Sequence, residues 1–151
     1  YLVYLVHQQT KLLTQQPLFL SKLLKVCTMK KESKLWLTVK KNTPKINWTR
    51  LESWASLGVP DLLGYTDSHG FFTVELKVIS SKKIKFSPHQ ISFHVTHPHR
   101  SFIIAKTLDP RSIKLYPGSS VQELAACGPT LPLAASWSEI RDCLLPAACR
   151  L

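Results

Sequence analysis

Residues 71–79 read FFTVELKVI, and apolar and polar positions alternate along them. Phe72, Val74, Leu76 and Val78 fall on one side of an extended chain; Thr73, Glu75 and Lys77 fall on the other. A period of two in a segment rich in aromatic and β-branched residues predicts a strand. The preceding VPDLLGYT (59–66) reads as a second strand, with Pro60 near its start where a missing N–H is tolerated. TDSHG between them is a turn, so the two strands should form an antiparallel hairpin.

Other segments follow a helical period. KKESKLWLTVKK (30–41) puts Leu35, Trp36 and Val39 on one face between lysines, and NTPK (42–45) breaks it. INWTRLESWASLG (46–58) predicts a second helix, with Trp48, Leu51 and Trp54 on one face and Gly58 as its stop. After the hairpin and a basic loop, Ser87 is a good N-cap and Pro88 suits the first helical position, giving a helix to about His97 that Pro98 ends. SFIIAKT (101–107) is a buried-type strand, and a right-handed crossover should place it parallel to 71–79. A shorter strand at 112–116, a short helix at 119–127 and a terminal helix capped by Ser136 and Glu139 complete the chain. The expected class is α/β: a mixed central sheet flanked by helices, in the order helix, three-strand meander, helix, strand (αβββαβ). The meander's first strand is poorly marked; it lies within 35–41 or is displaced.

Composition narrows the function classes. A chain of 151 residues with 44% hydrophobic positions fits one domain with a core. Twenty Lys and Arg against nine Asp and Glu give a net charge of +11, which points to a polyanionic partner. Cys27, Cys127, Cys143 and Cys149 form no C-x-x-C pair, which argues against a zinc ribbon and reads as free thiols of a cytoplasmic protein. His89, His94, His97 and His99 lie close in sequence, but His89 points away from the helix face of His94 and His97; packing and phosphate contacts fit them better than zinc. Glutamines and lysines interrupt every apolar run, so no membrane span is expected. The single methionine, Met29, suggests that 1–28 are an upstream leader, 29–145 the domain and 146–151 a tail; the rival reading of 1–28 is an amphipathic leading helix.

The hairpin carries the candidate chemistry. Glu75 and Lys77 share a strand face. On a solvent-facing strand they would be an ion pair of small energetic weight. With the turn centred between Ser68 and His69, facing residues sum to 137, which sets Asp61 opposite Leu76; a slip near Pro60 would carry Asp61 onto the Glu75 face. Two carboxylates meeting there favour a hard divalent cation that also takes water and a phosphate oxygen. A neighbouring lysine can orient water or offset charge on phosphorus.

Pro60-Asp61 followed fourteen residues later by Glu75-Leu76-Lys77 resembles the PD-(D/E)XK nuclease signature. An upstream glutamate, the G-V-P-D entry, V-E-L-K and the S-P-x-Q opening of the next helix are similar to the VRR-NUC branch and to phage Holliday-junction-resolvase-like nucleases. The resemblance covers about 48–107 and implies a restriction-endonuclease-like core. It implies that Asp61, Glu75 and the backbone carbonyl of Leu76 hold Mg2+ or Mn2+, with Glu52 as an auxiliary acid. It implies that Lys77 acts on water and phosphate while Gln90 positions it. The reaction implied is hydrolysis of DNA phosphodiesters, selective for junctions or flaps, by a homodimer in a cytoplasm, that of a bacterial host if phage-encoded. The alternatives are a sequence-specific endonuclease of homing or restriction type and a catalytically silent DNA-binding module on the same fold. Lys30, Lys31, Lys34, Lys40, Lys41, Lys45, Lys82, Lys83, Lys85 and His89 are the expected DNA-contacting surface.

Overall fold

A computed structural model describes residues 31–51, 57–68, 70–80 and 83–145. The chain divides into two compact units at Lys34/Leu35; the account below concerns the second. Among the described residues the fold is mixed α/β, a five-stranded mixed sheet with four helices. Helix α1 runs over 31–42. Strands β1 (Asn47–Arg50), β2 (Leu62–Thr66) and β3 (Gly70–Ile79) form an antiparallel meander. Helix α2 (Pro88–Thr96) then crosses to β4 (Ser101–Leu108), which pairs parallel to β3. β5 (Arg111–Pro117) returns antiparallel to β4, and α3 (Val121–Cys127) and α4 (Trp137–Leu144) follow. The spatial order of the strands is their sequence order.

Both faces of the sheet are covered, by different helices. On one face Leu35 and Val39 of α1 and Ile140 and Leu144 of α4 pack on Phe72, Val74, Leu76, Ile104 and Leu115. Trp36, Trp48, Phe72 and Phe102 extend this core as edge-to-face aromatic neighbours, an arrangement favoured by the ring quadrupoles. On the other face Val121 and Leu124 of α3 pack on Ile79, Ile103, Ala105 and Tyr116, with Ile91 of α2 against them. Glu75 and Lys77 stand on this second face. Phe72, Val74, Leu76 and Val78 do point into the first core, as their alternation implies.

Two sequence expectations change. The predicted helix 46–58 is instead β1 at its start, so Trp48 lies on a strand; its 52–56 portion falls outside the described residues. Trp48 packs on Phe72 across the sheet and its indole N–H donates to Thr43 Oγ1 at 2.9 Å, tertiary partners that override local helical periodicity. β1 is therefore the displaced first strand of the meander, not a segment of 35–41. The hairpin register is also shifted by one residue. Leu62 pairs with Val74 and Thr66 with Gly70, so facing residues sum to 136, because three residues separate the two strands. Glu75 is 1% exposed, so the Glu75–Lys77 pair is not the solvent-facing ion pair weighed as the alternative.

Candidate active site

The register carries Asp61 toward Glu75 without the slip or bulge that was expected. One step beyond Leu62–Val74 it stands across from Glu75. The Leu51 amide donates to the Asp61 carbonyl at 2.8 Å, which extends β1–β2 pairing by one residue. On its other side, Asp61 Oδ2 accepts the Leu76 amide at 2.8 Å. A residue's N–H and C=O point to the same side of a strand, so the Leu76 carbonyl is directed to the Asp61 side as well. Burial raises the Asp61 pKa above the ordinary carboxylate value; the Leu76 amide and the charges of Lys77 and Arg50 pull it back only in part.

Helix α2 completes the site from above the sheet. Ser87 caps it through a reciprocal box: Ser87 Oγ accepts from Gln90 N at 3.2 Å, and Gln90 Oε1 accepts from Ser87 N at 3.0 Å. The box fixes the Gln90 amide over β3. Gln90 Oε1 also accepts from Lys77 Nζ at 3.0 Å, and Gln90 Nε2 donates to Glu75 Oε1. Lys77 Nζ lies 2.8 Å from Glu75 Oε1 with its side chain 12% exposed, and its ammonium sits 5.2 Å from the centre of the Phe86 ring. Glu75, Lys77 and Gln90 are thus one closed triangle, each touching the other two.

A second polar pair lies one helical turn along α2; the packing expected for some of the clustered histidines holds for His94, whereas its partnership with Ser101 was not foreseen. His94 is fully buried, and its Nδ1 is 2.6 Å from Ser101 Oγ. Thr73 Oγ1 donates to Ser101 Oγ at 3.3 Å, which leaves the serine hydroxyl proton for His94 Nδ1. Burial, then the Lys77 charge, lower the His94 pKa to about 4, so the ring is neutral at physiological pH. Gly118 backs the pair: a Cβ there would sit 2.8 Å from Ser101 Oγ and 2.9 Å from His94 Nδ1. The available signal was spacing, since His94 follows Gln90 by four residues and shares its helix face. His97, expected on that face too, is exposed and stacks on Phe93 with ring centres 4.6 Å apart.

The remaining predicted residues separate. Glu52, Lys30 and Lys82 lie outside the described residues. Lys31, Lys34, Lys40, Lys41, Lys45, Lys83, Lys85 and His89 are exposed. Lys83 and Lys85 precede α2, on the site's side of the sheet. Lys40 and Lys41 end α1, which packs on the opposite face, so the structure does not bring them to the site. Lys45 lines a cleft of about 570 Å3 with Pro44, Asp67, Ser68 and Arg141, at the turn end of the hairpin and away from Glu75. Asp67 is an exposed turn residue, as expected. Among the described residues no cluster of three His, Cys, Asp or Glu side chains forms a metal cage, and no helix is long and apolar enough to cross a membrane.

No family model matches the chain, and no curated protein matches it.

Proposed function

We propose that this chain is a metal-dependent deoxyribonuclease with a restriction-endonuclease-like, PD-(D/E)XK-type core. The observation that carries the reading is the buried Glu75–Lys77–Gln90 triangle beside Asp61 on one sheet face. Burying a carboxylate and an ammonium costs several kcal/mol per ion, about as much as their pairing returns, so such a pair is a weak stabiliser. A site that must meet a cation and a phosphate gives a reason to keep it.

The residues fit a hard divalent ion. Mg2+ commonly takes one or two carboxylates and completes its shell with water and substrate phosphate; Asp61, Glu75 and the Leu76 carbonyl supply that set. When bound, the ion would offset phosphate charge and acidify water. Lys77 gives two of its three donors to Glu75 and Gln90 and directs the third at a phosphate oxygen or the attacking water. Gln90 holds Lys77 and Glu75 in register, and Phe86 shields the ammonium stem from water. Cutting both strands needs two such sites, so the working form is a homodimer.

The test is incubation of purified protein with plasmid, flap and four-way-junction DNA, with Mg2+ or chelator. Metal-dependent cutting that Lys77→Ala abolishes supports the proposal. No metal-dependent cutting of any substrate, with wild type equal to Lys77→Ala, overturns it in favour of a silent DNA-binding module.

A further inference from the structure

Among the described residues, helices cover only part of the face that carries Glu75 and Lys77. Helices α2 and α3 pack over β3, β4 and β5 through Ile79, Ile103, Ala105 and Tyr116. On the β2–β3 hairpin the same face continues through Leu63, Tyr65, Phe71 and Thr73, since Tyr65 pairs with Phe71 and Leu63 with Thr73. Phe71 is 62% exposed, although it sits in the best-formed strand of the fold. Its ring meets that of half-buried Tyr65 with centres 4.9 Å apart and planes tilted by 51°.

Arg100 borders this pair. It adopts a positive φ of 54°, a conformation that costs a non-glycine residue about 1 kcal/mol or more. Its carbonyl accepts the Thr73 amide at 2.9 Å, which holds it there, and its guanidinium reaches Gly70, beside Phe71; a Cβ on Gly70 would lie 3.2 Å from Arg100 Nη1. Two solvent-accessible aromatic rings therefore share one end of the sheet face. Phe71 is four residues from Glu75, about 13 Å along the strand. That is a span of a few nucleotides from the candidate cutting centre.

We infer that Tyr65 and Phe71 form a stacking platform for an unpaired nucleobase flanking the scissile phosphate. The inference rests on the nuclease reading and names its substrate class: DNA with unpaired bases next to the cut. An open aromatic surface stacks any base whose π-face is free, whereas duplex bases already have both faces covered by their neighbours. The net charge of +11 draws in the strand, and the continuous sheet face aligns it. As a mere cross-strand pair, Tyr65–Phe71 would contribute only to hairpin stability.

The experiment measures fluorescence anisotropy of the full chain, with EDTA to prevent cutting, on a single-stranded oligonucleotide and on a duplex of equal length. Phe71→Ala is expected to weaken single-strand binding about 5- to 150-fold, the ~1–3 kcal/mol that one stacked base is worth, and to leave duplex binding unchanged. Phe71→Trp should restore it. Thermal melting of each variant reports the hairpin contribution separately. Equal loss on both DNAs, or no loss on either, overturns the platform. A platform that responds as expected in a protein that never cuts overturns the nuclease reading alone; cutting with Phe71→Ala bound as wild type overturns the platform alone.

Discussion

Asp61 Oδ2 accepts the amide of Leu76, the residue between Glu75 and Lys77, at 2.8 Å. This one bond ties the end of β2 to the part of β3 where both charged residues sit. Because burial raises the Asp61 pKa, the ionised form costs stability: the penalty is absent below the ordinary value of 3.8 and complete once pH exceeds the folded-state value. Asp61→Asn should therefore leave the melting temperature at neutral pH equal or higher, while cutting falls at least about 100-fold. Calorimetry beside a plasmid-nicking assay checks both arms; a variant that melts lower and cuts normally would show the carboxylate to be structural.

Gln90 serves both the helix cap and the charged triangle, and the two roles can be separated. Ser87→Ala removes the side-chain cap and should cost about 1 kcal/mol in urea unfolding with little change in rate. Gln90→Ala should lose a similar stability and also lower the cutting rate about 10- to 100-fold, since Lys77 and Glu75 lose their common partner.

The buried histidine predicts an acid-sensitive fold. With its pKa lowered to about 4 in the folded chain, His94 contributes stability that is fully present above pH 6.5 and is lost as pH falls from 6.5 toward 4. Comparing urea unfolding at neutral pH and at about pH 4.5, wild type should lose about 2–3 kcal/mol more than His94→Gln. Equal losses would mean that the ring is protonated in the folded state.

Gly118→Ala drives a methyl group into Ser101 and His94 and should destabilise by about 1–3 kcal/mol, read by thermal melting. Pairing it with Ser101→Ala, which frees the space nearest the new methyl, should recover part of the loss.

Charge placement predicts which lysines meet DNA. Replacing Lys83 and Lys85 by alanine should reduce the salt slope of binding by about 2, roughly 0.9 per lost phosphate contact. Replacing Lys40 and Lys41, whose helix packs on the opposite sheet face, should leave the slope unchanged. A titration of affinity against salt distinguishes the pairs.

Much of the fold is legible in local sequence patterns. The alternation of 71–79 yields both the strand and its two faces, because side-chain direction in a strand depends only on parity. Ser87-Pro88 announces α2 through local capping chemistry, and the crossover rule implies the parallel β4. Local rules misread 46–58: Trp48 has a helical spacing to its neighbours, but its partners Thr43, Trp36 and Phe72 come from other elements. The expected register is one residue off because it turns on the number of residues in the turn, which composition does not fix.

The sequence by itself determined which residues could do chemistry: Asp61, Glu75, Lys77 and Gln90 follow from motif spacing, strand parity and a helix cap. Only the tertiary structure decided that they meet. It set the register that puts Asp61 across from Glu75, lowered α2 onto β3 so that Gln90 reaches both charges, and buried His94 one helical turn along α2. It also left Phe71 exposed beside Tyr65 on the same face. Such relations depend on distances between elements remote in the chain, which local periodicity cannot encode.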